Sequence, residues 1–306
     1  MKTTYYSNGK LLITGEYLVL DGARAFALPT KFGQNLIVEN STNQEIQWES
    51  YDFDENIWYQ DTISFSEITN KVDAKIETVK TTLLQILNEA YLLNPDFINN
   101  SEGYKISTNL TFPKKWGLGT SSTLLNNIAQ WTNIDAFTLL KNSFGGSGYD
   151  IACAQNDTPI VYRIEQNLPI VETVHFNPDF TQNIYFVYLN KKQNSKAAIS
   201  AYYNNKNQHL AHNIIDNNKI TDTILNAKTL KEFAIAVEKH EIHMSDILEI
   251  RTIKEVAFPD FKGVVKSLGA WGGDFVMAIA KEDPKDYFVS KGYETILTYD
   301  EMILQQ

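Results

Sequence analysis

Pro113-Lys114-Lys115-Trp116-Gly117-Leu118-Gly119-Thr120-Ser121-Ser122-Thr123 is the stretch on which the reading of this chain turns. It lies between Tyr104–Leu110, which reads as a strand, and an apolar helical run from Ser121 to Trp131. Glycines let the backbone turn tightly and come close to a ligand. The unsatisfied N–H groups and the positive dipole end at the start of the following helix suit a phosphate. Hydroxyls at Thr120, Ser121 and Ser122 can bind phosphate or Mg2+, a hard ion that prefers oxygen. Taken alone, the spacing fits two arrangements equally well: an anion site, or a glycine-rich turn with a serine helix cap. It is not the P-loop pattern, because no Gly-Lys-Ser/Thr follows.

Outward from this loop the elements alternate. Lys10 to Leu20 is β-prone and broken at Thr14-Gly15-Glu16, and Gln34–Glu39, Ile46–Tyr51 and Ile57–Phe65 read as further strands. Val72, Ile76, Val79, Leu83, Leu87 and Ala90 recur at helical spacing, with Pro95 just beyond. In the second half, Ile160–Ile164, Ile184–Leu189, Phe275–Ala280 and Glu294–Thr298 read as strands. Helices are expected near Lys196–Tyr203, His212–Asn226, Leu230–Leu248 and after Asp283-Pro284. The order indicates an α+β protein with a lobe boundary near Glu165–Pro169, dividing residues 1–165 from 166–306.

Two other glycine-rich segments carry chemistry. In Gly145-Gly146-Ser147-Gly148-Tyr149-Asp150, an acidic residue leaves a turn at a helix start. Asp150 there is either a helix cap or a general base. In Lys266-Ser267-Leu268-Gly269-Ala270-Trp271-Gly272-Gly273-Asp274, a helix runs into a strand. The glycine is either a helix C-cap or part of a loop that approaches a ligand. Lys191-Lys192-Gln193-Asn194-Ser195-Lys196 precedes a helix, so Ser195 and the lysines are candidates for holding an anionic substrate. His209/His212 and His240/His243 share helix faces, but a metal site needs more ligands.

The chain has 306 residues, 43% of them hydrophobic, which is enough for a sizeable core. Its formal net charge of -10 offers no basic face for nucleic acid. Cys153 is the single cysteine, so no internal disulfide or cysteine zinc cluster exists. Met1-Lys2-Thr3-Thr4-Tyr5-Tyr6 lacks a signal-peptide core, and no apolar run reaches the roughly 18 residues of a spanning helix. These features lead to the expectation of a soluble cytoplasmic protein with no nucleic-acid or membrane partner, its oligomeric state left open.

With the N-terminus added, the segments form a known order. Ser7-Asn8-Gly9-Lys10-Leu11-Leu12-Ile13-Thr14-Gly15-Glu16-Tyr17 resembles the opening motif of the GHMP kinases. Gly117–Ser122 is similar to their phosphate loop, and Gly269–Asp274 to their C-terminal glycine motif. The chain as a whole most resembles the mevalonate and phosphomevalonate kinases, and Gly146-Ser147-Gly148-Tyr149-Asp150 with the ending Gly-Gly-Asp is most similar to the phosphomevalonate kinase branch. The resemblance implies two lobes, one like a ribosomal S5 domain (its second domain) and one ferredoxin-like, with ATP and an acceptor alcohol meeting between them.

By the same resemblance, Gly117, Leu118, Gly119, Thr120, Ser121 and Ser122 bind ATP, Ser121 ligates Mg2+, and Asp150 with Lys10 is catalytic. Glu16, Tyr17, Ser147, Gly148, Ser195, Gly269, Ala270 and Gly272 then face the substrate. Mevalonate or 5-phosphomevalonate is the expected acceptor. A diphosphomevalonate decarboxylase and a catalytically silent nucleotide- or metabolite-binding relative are the alternatives. The chain departs from the family pattern at Trp271, which replaces a glycine. The interval from Ser121 to Asp150 is also short, leaving Asp135 as the candidate for the acidic residue that assists Mg2+.

Overall fold

The computed structural model describes residues 2–70, 78–192, 199, 202–203, 209–269, 271 and 273–305. The chain divides into two compact units that interleave in sequence. The first comprises Met1–Gly9, Phe32–Lys114 and Leu118–Gln155; the second comprises Lys10–Lys31, Lys115–Gly117 and Asn156–Gln306. Two long strands, β1 (Lys2–Thr14) and β2 (Ala25–Asn40), pass through both.

In the first unit, β3 (Glu45–Tyr51), β4 (Ile57–Ser64), the short α1 (Phe65–Thr69), α2 (Val79–Leu93), α3 (Asp96–Asn99) and β5 (Tyr104–Leu110) follow in order. They are succeeded by α4 (Thr120–Thr132), α5 (Ala136–Ser143) and α6 (Tyr149–Ala154). β5 pairs antiparallel with the later part of β2 and parallel with β3, and β3 pairs antiparallel with β4. The parallel pair needs a long crossover, and β4 with α1–α3 supplies it.

Burial alternates along β3 and β5, as a sheet with one covered face requires. Register places Val38, Ile106 and Trp48 side by side on that face. There they meet Leu83, Ile86 and Leu87 of α2 and Leu125 and Ile128 of α4 in one apolar core. Thr78 starts α2 with a capping box to Thr81, which fixes the entry of a helix whose apolar face would not stabilise it in isolation. The earlier part of the expected helix, Val72 and Ile76, lies outside the described residues.

In the second unit, β6 (Ile160–Glu165) pairs with the first residues of β2 and with β7 (Leu168–Thr173). A separate antiparallel sheet runs β11-β8-β10-β9, made from β8 (Ile184–Tyr188), β9 (Val264–Ser267), β10 (Phe275–Ile279) and β11 (Ile296–Thr298). Its helices are α7 (Leu210–Asn226), α8 (Leu230–Leu248), α9 (Ile253–Ala257), α10 (Lys285–Ser290) and α11 (Tyr299–Met302). Val187, Val265, Val276 and Ala278 pack with Phe258, Phe261 and Phe288.

The expected α+β class holds, with corrections of detail. Leu18–Asp21, partly inside the β-prone run read to Leu20, is a 3-10 turn. Val264–Ser267 is a strand, so Gly269 lies in a strand-to-strand turn and does not cap a helix. The buried Lys266 hides the apolar signature of that strand. Leu168–Thr173, which begins inside the expected boundary Glu165–Pro169 and is not among the expected strands, is a strand paired antiparallel with β6. Pro169 is tolerated because, among the described residues, β7 pairs only with β6 and forms the edge of its sheet.

Leu87 is fully buried in the first core. Leu87→Ala is expected to lower the stability of that unit by about 2–5 kcal/mol, measured as a shift of the urea midpoint at unchanged slope.

Candidate functional site

The glycine loop opens with a single 3-10 turn, Lys114–Trp116. Gly117 and Gly119 then adopt left-handed backbone, φ 73° and 97°, so the chain reverses sharply into α4. The N-cap of α4 is Gly119, and no side chain caps it. The first-turn amides therefore lack the side-chain acceptor that serine, threonine or aspartate supplies at other helix starts. Thr120 Oγ1 is buried and has no hydrogen-bond partner, while Ser121 is exposed and Ser122 half-buried. Of the two arrangements that the spacing allows, the serine cap is not the one formed: Ser121 and Ser122 lie within the helix.

A chain of buried amides fixes α4 within the first unit. Thr123 Oγ1 donates to Gln34 Oε1 (2.7 Å), and Asn127 Nδ2 donates to the Gln34 carbonyl (2.9 Å). Ser7 Oγ donates to Asn127 Oδ1 (2.7 Å) and accepts from Asn126 Nδ2 (2.8 Å). Gln155 Nε2, just past α6, donates to Asn126 Oδ1 (2.9 Å). Ser7, Gln34, Thr123, Asn126 and Asn127 are all buried, and leaving any of them unpaired costs more than the bond itself contributes. The network thus fixes α4, which starts at the glycine loop, relative to α6, which carries Asp150. The adjacent Asn126 and Asn127 in a helix interior, where asparagine is a poor helix former, were the sequence signal for it.

Gly148 (φ 90°) is the N-cap of α6, and Asp150 is its second residue. Asp150 is therefore not the cap of this helix, and its half-buried carboxylate sits at the positive end of it. Gly145 and Gly146 are exposed in left-handed backbone, and Ser147 is half-buried. Asp135, the candidate for assisting Mg2+, is committed elsewhere. Its carboxylate caps α5, accepting from Thr138 N and Oγ1 at 2.7 Å each. Lys114 lies 3.5 Å from the centre of the Trp58 ring, and its amide donates to Asp52 Oδ1 (3.0 Å).

In the second unit, Lys10 Nζ donates to the Gly117 carbonyl (3.3 Å). Gly15 must be glycine: its φ is 89°, and a Cβ would sit 2.7 Å from both Ala25 Cα and the Arg24 carbonyl. Its amide donates to His240 Nε2 (3.3 Å). Glu16, expected at the substrate, instead points inward and is 1% exposed. Its carboxylate forms an ion pair with Lys266, itself fully buried, and lies 3.5 Å from His240 Nε2. Lys266 also donates to the Ser267 carbonyl (2.8 Å). Glu241 accepts from Ser267 N and Oγ at 3.0 Å each.

Burial dominates the protonation of this cluster. It pushes Glu16 up to about 7 against the opposing pull of Lys266, and it raises Glu241 as well. His240 is held well below its ordinary value by burial and then by the Lys266 charge, so it is neutral. The sequence gives Glu241 and Lys266 no role of their own and brings His240 forward only with His243 as a metal pair; a lysine next to Val264-Val265 was the available clue to the buried cluster.

Tyr17 stacks on Tyr202 (5.6 Å between ring centres), and burial raises its hydroxyl to about 12. Trp271 packs with Leu18, Ala23, Tyr202 and Met244, so its bulk belongs to this apolar cluster. Gly269 (φ 69°) lies in the β9–β10 turn. Ser195, Ala270 and Gly272 lie outside the described residues. Among the described residues no group of three or more His, Cys, Asp or Glu is placed to hold a metal ion, and no helix is long and apolar enough to cross a membrane.

This fold is that of the GHMP kinases. The chain is similar to the mevalonate kinase of Methanococcus jannaschii, with a TM-score of 0.73 at 18% identity over 100% of this chain and 99% of that one. It is similar to the Streptococcus pneumoniae phosphomevalonate kinase, solved with phosphomevalonate and AMPPNP, at a TM-score of 0.69 and 18% identity over 97% and 99%. It also matches the Lactococcus lactis galactokinase complexed with galactose, at 0.70 and 12% over 99% and 95%. No family model matches the sequence, and no curated protein matches it significantly by sequence.

Because the folded-state pKa of Glu16 is raised, the native state holds a proton that the unfolded chain releases near pH 4.5. Its contribution to stability is therefore full below pH 4.5 and is lost as pH rises toward about 7. Urea denaturation across that range is expected to show a downward slope in wild type that Glu16→Gln lacks. Removing one partner of the buried pair is also expected to cost Glu16→Gln about 3–5 kcal/mol at pH 8.

Proposed function

We propose that this protein is an ATP-dependent small-molecule kinase of the GHMP type, with mevalonate or 5-phosphomevalonate as acceptor. The observation that carries the reading is the uncapped N-terminus of α4 behind the Gly117–Gly119 turn, with the unpartnered Thr120 hydroxyl beside it. Such an end, lined with backbone N–H groups, suits an anion. The likeness to solved mevalonate and phosphomevalonate kinases supports the choice of acceptor, as does the Gly146–Asp150 segment.

In this reading the loop amides and the hydroxyls of Thr120, Ser121 and Ser122 bind the nucleotide phosphates and stabilise charge as it shifts. Asp150 accepts or orients the proton of the acceptor hydroxyl. Lys10, held at the Gly117 carbonyl, supplies positive charge to the oxygen that develops. The exposed Ser121 hydroxyl is a hard oxygen donor of the kind that suits Mg2+. Mg2+ commonly uses one or two such protein ligands, with water and substrate phosphates completing its shell. When bound, it would neutralise phosphate charge.

ADP release with Mg-ATP across mevalonate, 5-phosphomevalonate, diphosphomevalonate, homoserine and galactose is the test. ADP formation dependent on one of the first two is expected. Turnover only with diphosphomevalonate, or Mg-ATP stabilisation without any turnover, would replace this reading with the decarboxylase or the silent binder. Asp150→Asn and Lys10→Met are each expected to lower kcat by about 10²–10⁴, with little change in nucleotide affinity by calorimetry; equal losses in both would remove these roles.

A further inference from the structure

Asp274 has two features that filling space does not require. It is a non-glycine residue in left-handed backbone, φ 54°, a conformation that persists only where the surroundings impose it. It is also a carboxylate only 9% exposed, in a setting where a charge is costly unless it is paired or hydrogen-bonded.

What it touches is Gly117. A Cβ on Gly117 would sit 2.4 Å from Asp274 Cγ, 2.5 Å from Oδ2 and 2.7 Å from Oδ1. The carboxylate thus occupies the space of the side chain that residue 117 lacks. Asp274 is itself pinned: its N–H donates to the Lys191 carbonyl (2.6 Å), and its carbonyl accepts from Leu189 N (2.8 Å). The residues before Gly117 are docked on the same strand ends. Trp116 stands edge-on to Phe275 (5.3 Å), and Tyr188 Oη donates to the Lys115 carbonyl (3.1 Å). Lys10 holds the Gly117 carbonyl.

We propose that Asp274 is a positioning residue for the glycine loop, its carboxylate fixing the backbone of Gly117 in the form that receives nucleotide. The inference rests on the nucleotide-binding reading of that loop. It explains why position 117 must be glycine on steric grounds beyond its own φ, and why a strained, buried aspartate stands at the end of the β9–β10 turn. It assigns Asp274 to nucleotide affinity rather than to acceptor recognition.

The test uses the full-length protein as wild type, Asp274→Gly, Asp274→Asn, Gly117→Ala and the double variant Gly117→Ala/Asp274→Gly. Glycine at 274 removes the carboxylate and relieves the backbone strain, so folding is preserved; the melting temperature of each unliganded protein verifies this. Expected is a rise in KM for ATP of at least about tenfold in Asp274→Gly, with the acceptor KM within about twofold. Asp274→Asn, which keeps the shape, recovers most of that loss. Gly117→Ala costs much less nucleotide affinity in the Asp274→Gly background than alone, because the clash is gone. An ATP KM unchanged in Asp274→Gly, a shift confined to the acceptor, or strictly additive effects of the two substitutions overturns the proposal. A wild-type protein that neither turns over ATP nor is stabilised by Mg-ATP overturns the function reading as well.

Discussion

Burying the ammonium of Lys266 completely obliges the second unit to bring a carboxylate to it, and the rest of that unit is arranged around the bond. An unpaired charge in that position would cost several kcal/mol, so Glu16 is drawn inward from the Gly15 turn to meet it. Gly15 can pass close enough to Ala25 for this only because it has no side chain. Glu241 then holds Ser267, the next residue of β9, through two hydrogen bonds. The N-terminal turn, α8 and β9 are thereby tied at one point, and the turn carrying Asp274 leaves from it.

The first unit uses neutral groups for the same purpose. Ser7, Gln34, Asn126 and Asn127 satisfy one another in the interior, and their bonds set where α4 lies against β1 and β2. A fully satisfied buried network is rigid because every alternative leaves a donor or acceptor unpaired. On the proposed kinase reading, rigidity suits the start of α4, because phosphoryl transfer depends on fixed donors more than on covalent chemistry. The two units therefore use polarity differently: a charged anchor in the second, and an uncharged scaffold behind the start of α4 in the first.

Trp271 and Asp135 show how local context overrides a motif. Trp271 departs from a glycine pattern, yet it is absorbed by apolar packing against Leu18 and Met244. Asp135 has the chemistry of a metal ligand, yet it is committed to the first turn of α5. The shortened interval between Ser121 and Asp150 still delivers a helix, a capped second helix and a third helix with Asp150 at its start.

The sequence by itself determined the α+β class, most strands and helices, and the glycine loop before α4, because these follow from local periodicity and from glycine's access to left-handed backbone. It also singled out Asp150 after Gly148 at a helix start, though not whether Asp150 caps that helix. Only the tertiary structure decided that Glu16 turns inward, that Lys266 lies in a strand and that Asp274 fills the space beside Gly117. Each of these depends on a partner far away in the chain: 250 residues separate Glu16 from Lys266. A buried charge or a missing Cβ acquires meaning only when the chain brings its counterpart to it, and no local pattern encodes that meeting.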